Sequence, residues 1–104
     1  MSSYKDMIIY KKAFGLAMDI FGISKRFPKE ETYSLADQIR RSSRSVCTNF
    51  AEAFRRRKYL AHFVSKLTDS DSENSEKGVW IDFAFACNYI SAEEHLSLSY
   101  KNAK

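Results

Sequence analysis

Apolar side chains recur along most of the chain at three- and four-residue intervals, the signature of helices with one buried side. Between residues 6 and 27 the series is Ile9, Tyr10, Ala13, Phe14, Leu16, Ala17, Ile20, Phe21 and Ile23. Asp6 is suited to cap this first helix, and Pro28 stops it at or just before Phe27. The stripe is wider than one partner helix needs, so two neighbours in a bundle or a contact between copies would account for it. Gly15 and Gly22 lie one heptad apart on it and would allow another backbone to approach. Residues 29–32 form a connector, Thr32 or Ser34 is the next cap, and a second helix covers residues 33–56.

Residues 58–87 read as a third, long helix. It opens on Leu60, Phe63, Val64 and Leu67 and closes on Val79, Trp80, Ile81, Phe83, Ala84 and Phe85. The polar tract 68–78 between them fits a loop as well as a helix. Helix is favoured because Leu67, Asp71, Asn74, Gly78, Ile81 and Phe85 stay in phase. Asp71 and Asn74 would then face the core and need partners, for which an Arg or Ser of the second helix would serve. Residues 88–90 form a turn with Asn88 in a left-handed position. Ser91 and Glu94 match a capping box opening a fourth helix with Leu96, Leu98 and Tyr100, short and frayed over residues 101–104. Phe50 and Trp80 are expected inside the core.

The second helix gives the chain its chemical character. Six of the seven arginines fall within residues 38–58. At about 100° per residue, Ile39, Val46, Phe50, Ala53 and Phe54 share one side. Arg40, Arg41, Arg44, Thr48, Arg55 and Lys58 share the other. Arg57 would point to the apolar side, so the helix should end or bend near residues 55–57. A basic stripe of this kind is either the solvated face of a bundle helix or a surface for nucleic acid or an acidic partner. The excess of arginine over lysine favours the second, because the planar guanidinium matches phosphate geometry.

The chain has 104 residues, 44% of them apolar and 14% aromatic, which suits one globular domain spanning 1–104. Three glycines and one proline argue against a turn-rich all-β fold. The net charge of +4 is unevenly spread. Residues 38–66 carry eight Lys/Arg against Glu52 alone, whereas residues 69–82 carry five acids against Lys77 alone. Such a split pairs within the fold, between copies, or with a polyanion. Cys47 and Cys87 belong to no CxxC pair and read as two reduced, buried thiols. No signal peptide or membrane-length apolar run is evident, so a cytoplasmic protein is expected.

Candidate chemistry is sparse. Asp69, Asp71 and Glu73 mimic the start of a calcium loop, but Asn74 stands where glycine and Trp80 where glutamate is required. Tyr59 and Ala92 precede His62 and His95 at the spacing where a di-iron bundle needs glutamates. No nucleophile elbow, triad setting or phosphate-cradling glycine loop occurs. A protein without catalytic activity, metal or cofactor is expected.

The segments YKDMIIYKKAF, FPKEETYSLADQIRRSSRSV, NFAEAFRRR and ENSEKGVWIDFAFACNYIS resemble a small bacterial four-helix-bundle family, called S23 ribosomal protein or 23S rRNA intervening-sequence protein. Ala53 and Asn88 stand where the family commonly has glycine, and the fourth helix is shorter. The resemblance implies an all-α, up-and-down bundle assembled as a ring-like homopentamer, with residues 68–78 helical. A related branch comprises accessory proteins of diversity-generating retroelements, basic pentamers proposed to bind nucleic acid and a reverse transcriptase. The combined expectation is an oligomeric, non-catalytic accessory protein that binds RNA in preference to DNA. Phosphate contacts would come from Arg40, Arg41, Arg44, Arg55, Arg56 and Lys58, with Lys5, Lys11, Lys12, Lys25 and Arg26 as a second basic set. The competing expectation is a scaffold in which the basic helix meets Asp69, Glu73 or Glu76 of a neighbouring copy.

Overall fold

Four helices are wound antiparallel in sequence: α1 Ile8–Ser24, α2 Leu35–Arg55, α3 Leu60–Ala86 and α4 Ala92–Ala103. The computed structural model describes residues 3–103; the start of the polar lead and Lys104 lie outside the described residues. The result is the expected all-α bundle, about 44 × 22 × 18 Å. α2 packs on α1 and α3, and the short α4 lies against α3 and α1.

Local sequence signals explain most of the ends. Asp6 does not cap α1. Ser3 accepts from the Lys5 amide and opens a 3-10 turn at Tyr4–Asp6, and α1 follows with no side-chain cap. α1 ends at Ser24 instead of running to Phe27, because the Arg26 and Phe27 amides bond Ile23 O and Ser24 O in a tighter winding before Pro28. Neither Thr32 nor Ser34 caps α2 through its side chain; Glu31 Oε1 accepts from the Leu35 amide at 3.2 Å. The other Glu31 oxygen accepts from the Tyr89 hydroxyl at 2.7 Å, tying the start of α2 to the end of α3. That bond pushes the Tyr89 phenol up to about 12 and draws Glu31 below its ordinary value.

α3 is one continuous helix through residues 68–78. It stops in a Schellman arrangement: Asn88 sits at φ 64°, its amide bonds Phe85 O, and the Tyr89 amide bonds Ala84 O. The Ser91–Glu94 capping box closes both ways, at 3.0 and 2.8 Å. α4 stays helical through Ala103, with Lys101 Nζ 3.0 Å from Asp19 Oδ2, so the expected fraying is absent up to that residue.

The main core joins Leu16 and Ile20 of α1, Ile39 of α2, Ile81 and Ala84 of α3, Leu98 of α4, and Phe27 and Ile90 from the turns. A second cluster holds Ala13, Val46 and Cys47, whereas Cys87, expected to be buried as well, is exposed because it sits at the C-cap of α3. Phe50 and Trp80 only flank these clusters and are half-buried, short of the full burial expected. The buried line of α3 is also rotated from the expected one. Ser70, Lys77, Ile81 and Ala84 face inward, Asp71 and Phe85 are exposed, and Asn74 is half-buried. Ser70 Oγ donates to Val46 O, and Asn74 Nδ2 donates to Asn102 O of α4, not to a residue of α2. A Cβ at Gly15 or Gly22 would meet nothing within 4 Å, so neither serves a close approach within the chain. Gly78 does, since a Cβ there would stand 3.2 Å from Asn102 Nδ2.

Candidate nucleic-acid interface

α2 lacks interior proline and glycine, and its apolar and buried small residues seat it between α1 and α3. This fixes where the basic residues emerge. Arg44 and Arg55 are eleven positions apart on the helix, about 16 Å along its axis. The basic stripe therefore divides into two groups.

The first group straddles α1 and α2. Phe21 of α1 is surrounded by three cations: Lys25 Nζ at 4.7 Å, the Arg40 guanidinium at 4.9 Å and that of Arg44 at 5.6 Å from the ring centre. A cation over a ring face is attracted by its quadrupole, which explains the gathering. Among the described residues no carboxylate pairs with Lys25, Arg40 or Arg44. Arg40 is only half-exposed, and its Nε donates to Ser24 Oγ at 2.7 Å. Arg41, one step round the helix, pairs with Asp37 at 2.8 Å in an exposed contact. Arg40, Arg41, Arg44 and Thr48 line a surface depression of about 370 Å³.

The second group sits at the turn after α2. Arg55 and Arg56 share Glu52, at 3.7 and 3.3 Å. Arg57 lies over the Phe54 ring at 4.0 Å and donates to Phe54 O, so it belongs to the turn and not to the core. Lys58 is exposed beside them. No α2 arginine pairs with Asp69, Glu73 or Glu76 of its own chain. Sequence reasoning missed Phe21 as the centre of the first group and set Lys25 aside. Nothing in the spacing signals either role, because the cluster forms only when α1 and α2 pack.

Among the described residues no set of three His, Cys, Asp or Glu side chains is placed to hold a metal. No helix there is long and apolar enough to cross a membrane.

The family model of the 23S rRNA-intervening sequence protein matches residues 5–104. No curated protein matches the chain. Among solved structures, the chain is similar to a protein with unknown function from the S23 ribosomal protein family of Bacteroides thetaiotaomicron VPI-5482. The two are 25% identical and superpose with a TM-score of 0.83 over 92% of this chain and 86% of that one.

Proposed function

The chain belongs to the 23S rRNA-intervening sequence protein family, and from that premise we propose that it is a non-catalytic, oligomeric accessory protein that holds RNA, in preference to DNA, through phosphate contacts. The observation that carries this reading is the Phe21 cluster. Three cations crowd one ring with no acid among them, and mutual repulsion raises the cost of that arrangement. A phosphodiester chain laid across Lys25, Arg40, Arg41 and Arg44 relieves the repulsion. Arg55, Arg56 and Lys58 would extend the path at the turn. The pairs with Asp37 and Glu52 are exposed and worth little, so phosphate can displace them. Phe21 is already covered by cations, so base stacking contributes little and binding is sequence-tolerant.

Assembly is part of the proposal. Phe14 and Met18 on α1, and Val79 and Phe83 on α3, are about half exposed. Apolar surface of that kind is what copies cover when they associate, and a ring, expected to be a pentamer, would repeat the basic path around its rim. A gel-shift series with unrelated single-stranded RNAs at low salt tests the binding: retarded complexes of similar affinity are expected, and no shift at about 50 mM salt overturns the reading. A second reading has its own support. Glu73 and Glu76 make no ion pair with a basic side chain among the described residues, which leaves them for a neighbour's α2 in a protein scaffold.

A further inference from the structure

Lys77 is the largest fully buried side chain among the described residues, 1% exposed in the middle of α3. No hydrogen bond or ion pair reaches its ammonium there; its electrostatic neighbour is the Cys47 thiol of α2. A buried charge without a partner is costly and uncommon. Lys77 lines a cavity of about 300 Å³ between the helices, at the small end of ligand sites. Leu16, Val46, Phe50 and Leu67 give part of its lining an apolar character. Asn102 also lines it, and its Oδ1 is buried with no hydrogen-bond partner among the described residues. The amide exchange between Asn74 and Asn102 uses both Nδ2 groups and both main-chain oxygens, which leaves that oxygen free to accept.

We propose that this cavity is a binding site for a small organic carboxylate with an apolar body, its carboxylate on Lys77 and its body against Leu16, Val46 and Phe50. A hydroxyl on the ligand would donate to Asn102 Oδ1. A monoanion fits better than a phosphate dianion, because one buried cation cannot offset the desolvation of two charges. The other charged groups facing the cavity are Lys12 of α1, Asp71 of α3, and Lys101 of α4, the last engaged by Asp19. Burial lowers the Lys77 amine to about 8, so it remains mostly protonated at neutral pH and able to pair with the anion. The site is separate from the phosphate path on Lys25, Arg41 and Arg44, and its test is independent of it.

The test is a titration of the 15N-labelled protein with benzoate and 4-hydroxybenzoate, against benzyl alcohol and inorganic phosphate at equal ionic strength. Expected are shifts of the Ser70 and Lys77 amides and of the Asn74 and Asn102 side chains with both carboxylates. The hydroxylated one should bind tighter. Lys77→Met keeps the length and apolar stem, and should reduce carboxylate affinity at least about tenfold while the fold persists. Asn102→Asp, which sets an anion beside the site, should weaken binding without removing Lys77. The proposal is overturned by an absence of shifts at about 10 mM carboxylate, or by undiminished binding in both variants. An equal response to benzyl alcohol marks only an apolar hole, and an equal response to phosphate marks a surface anion effect; either overturns it too.

Discussion

Arg40 reaches across from α2 to Ser24 on α1, its Nε donating to the serine Oγ at 2.7 Å, while Ser24 Oγ donates in turn to Phe21 O at 2.8 Å. The most interior arginine of the basic stripe is thus a strut between two helices as well as a cation. Ser24 is 3% exposed, so truncating Arg40 leaves a buried hydroxyl short of a donor.

Arg40→Gln should therefore cost about 1–3 kcal/mol of stability in chemical denaturation. Ser24→Ala should cost about 1 kcal/mol, and the double substitution less than the two together by about 0.5 kcal/mol or more, as expected for residues in contact. Additive losses would mean that the strut does not exist in solution.

The buried Lys77 sets a pH dependence. Its folded value is lowered from 10.5 to about 8, chiefly by desolvation, which the Cys47 thiolate opposes where it is ionised. The unfolded chain therefore holds this proton more tightly than the folded one. Below about pH 8 the cost of the buried charge is present in full, on the order of 3 kcal/mol, and it fades as pH rises toward 10.5. Lys77→Met should be more stable than wild type at pH 7. The gap should shrink by about 1.4 kcal/mol per pH unit above pH 8. The comparison belongs below pH 9, because burial also raises the Cys47 thiol above its ordinary 9.0, and that works in the opposite direction. A gap that stays constant from pH 7 to 9 would show that Lys77 is not buried as charged.

The local signals were legible and the long-range ones were not. Asn88 and the Ser91–Glu94 box act over a few residues, so their chemistry is complete in the sequence. The helical continuity of residues 68–78 was readable, but its rotation was not. In that tract Asp71, Ser70 and Lys77 offered no apolar residue to fix the phase, and packing on Val46 turned Ser70 and Lys77 inward. The stripe of α2 was visible as a stripe. Its division into a Phe21 group and a Glu52 group depends on where α1 lies, and no spacing within α2 encodes that.

Assembly makes a separate prediction. Light scattering of the purified protein should report several times the 12.1 kDa chain mass. Phe83→Glu alters a residue 53% exposed in the single chain, so it should lower that mass with little loss of helix by circular dichroism. A monomer at micromolar concentration in the wild type sinks the oligomer. An unchanged mass in the variant places the contact on another face, with Phe14 and Met18 of α1 next in order.

The phosphate path predicts a salt dependence and assigns it to particular residues. If cations displace counterions from single-stranded RNA, the logarithm of affinity falls against the logarithm of salt with a slope near −0.7 per phosphate neutralised. Lys25, Arg41 and Arg44 can be changed together to Gln without touching the Arg40–Ser24 bond. They are exposed, so the fold and the assembled mass should survive. That triple variant should flatten the slope by about two units. Changing Arg55, Arg56 and Lys58 to Gln should flatten it as well, because those residues lie about 16 Å further along the same path. The ratio of the two effects shows which group leads. If only the second variant acts, the Phe21 cluster is a packing device and the contacts lie at the turn. If neither alters the slope, Lys5, Lys11, Lys12 and Arg26 become the candidates. If the wild type fails to bind RNA at low salt, the acidic face of a neighbouring α3 is left as the partner for these arginines. In that case the same six substitutions should lower the assembled mass, an effect that phosphate contacts would not produce.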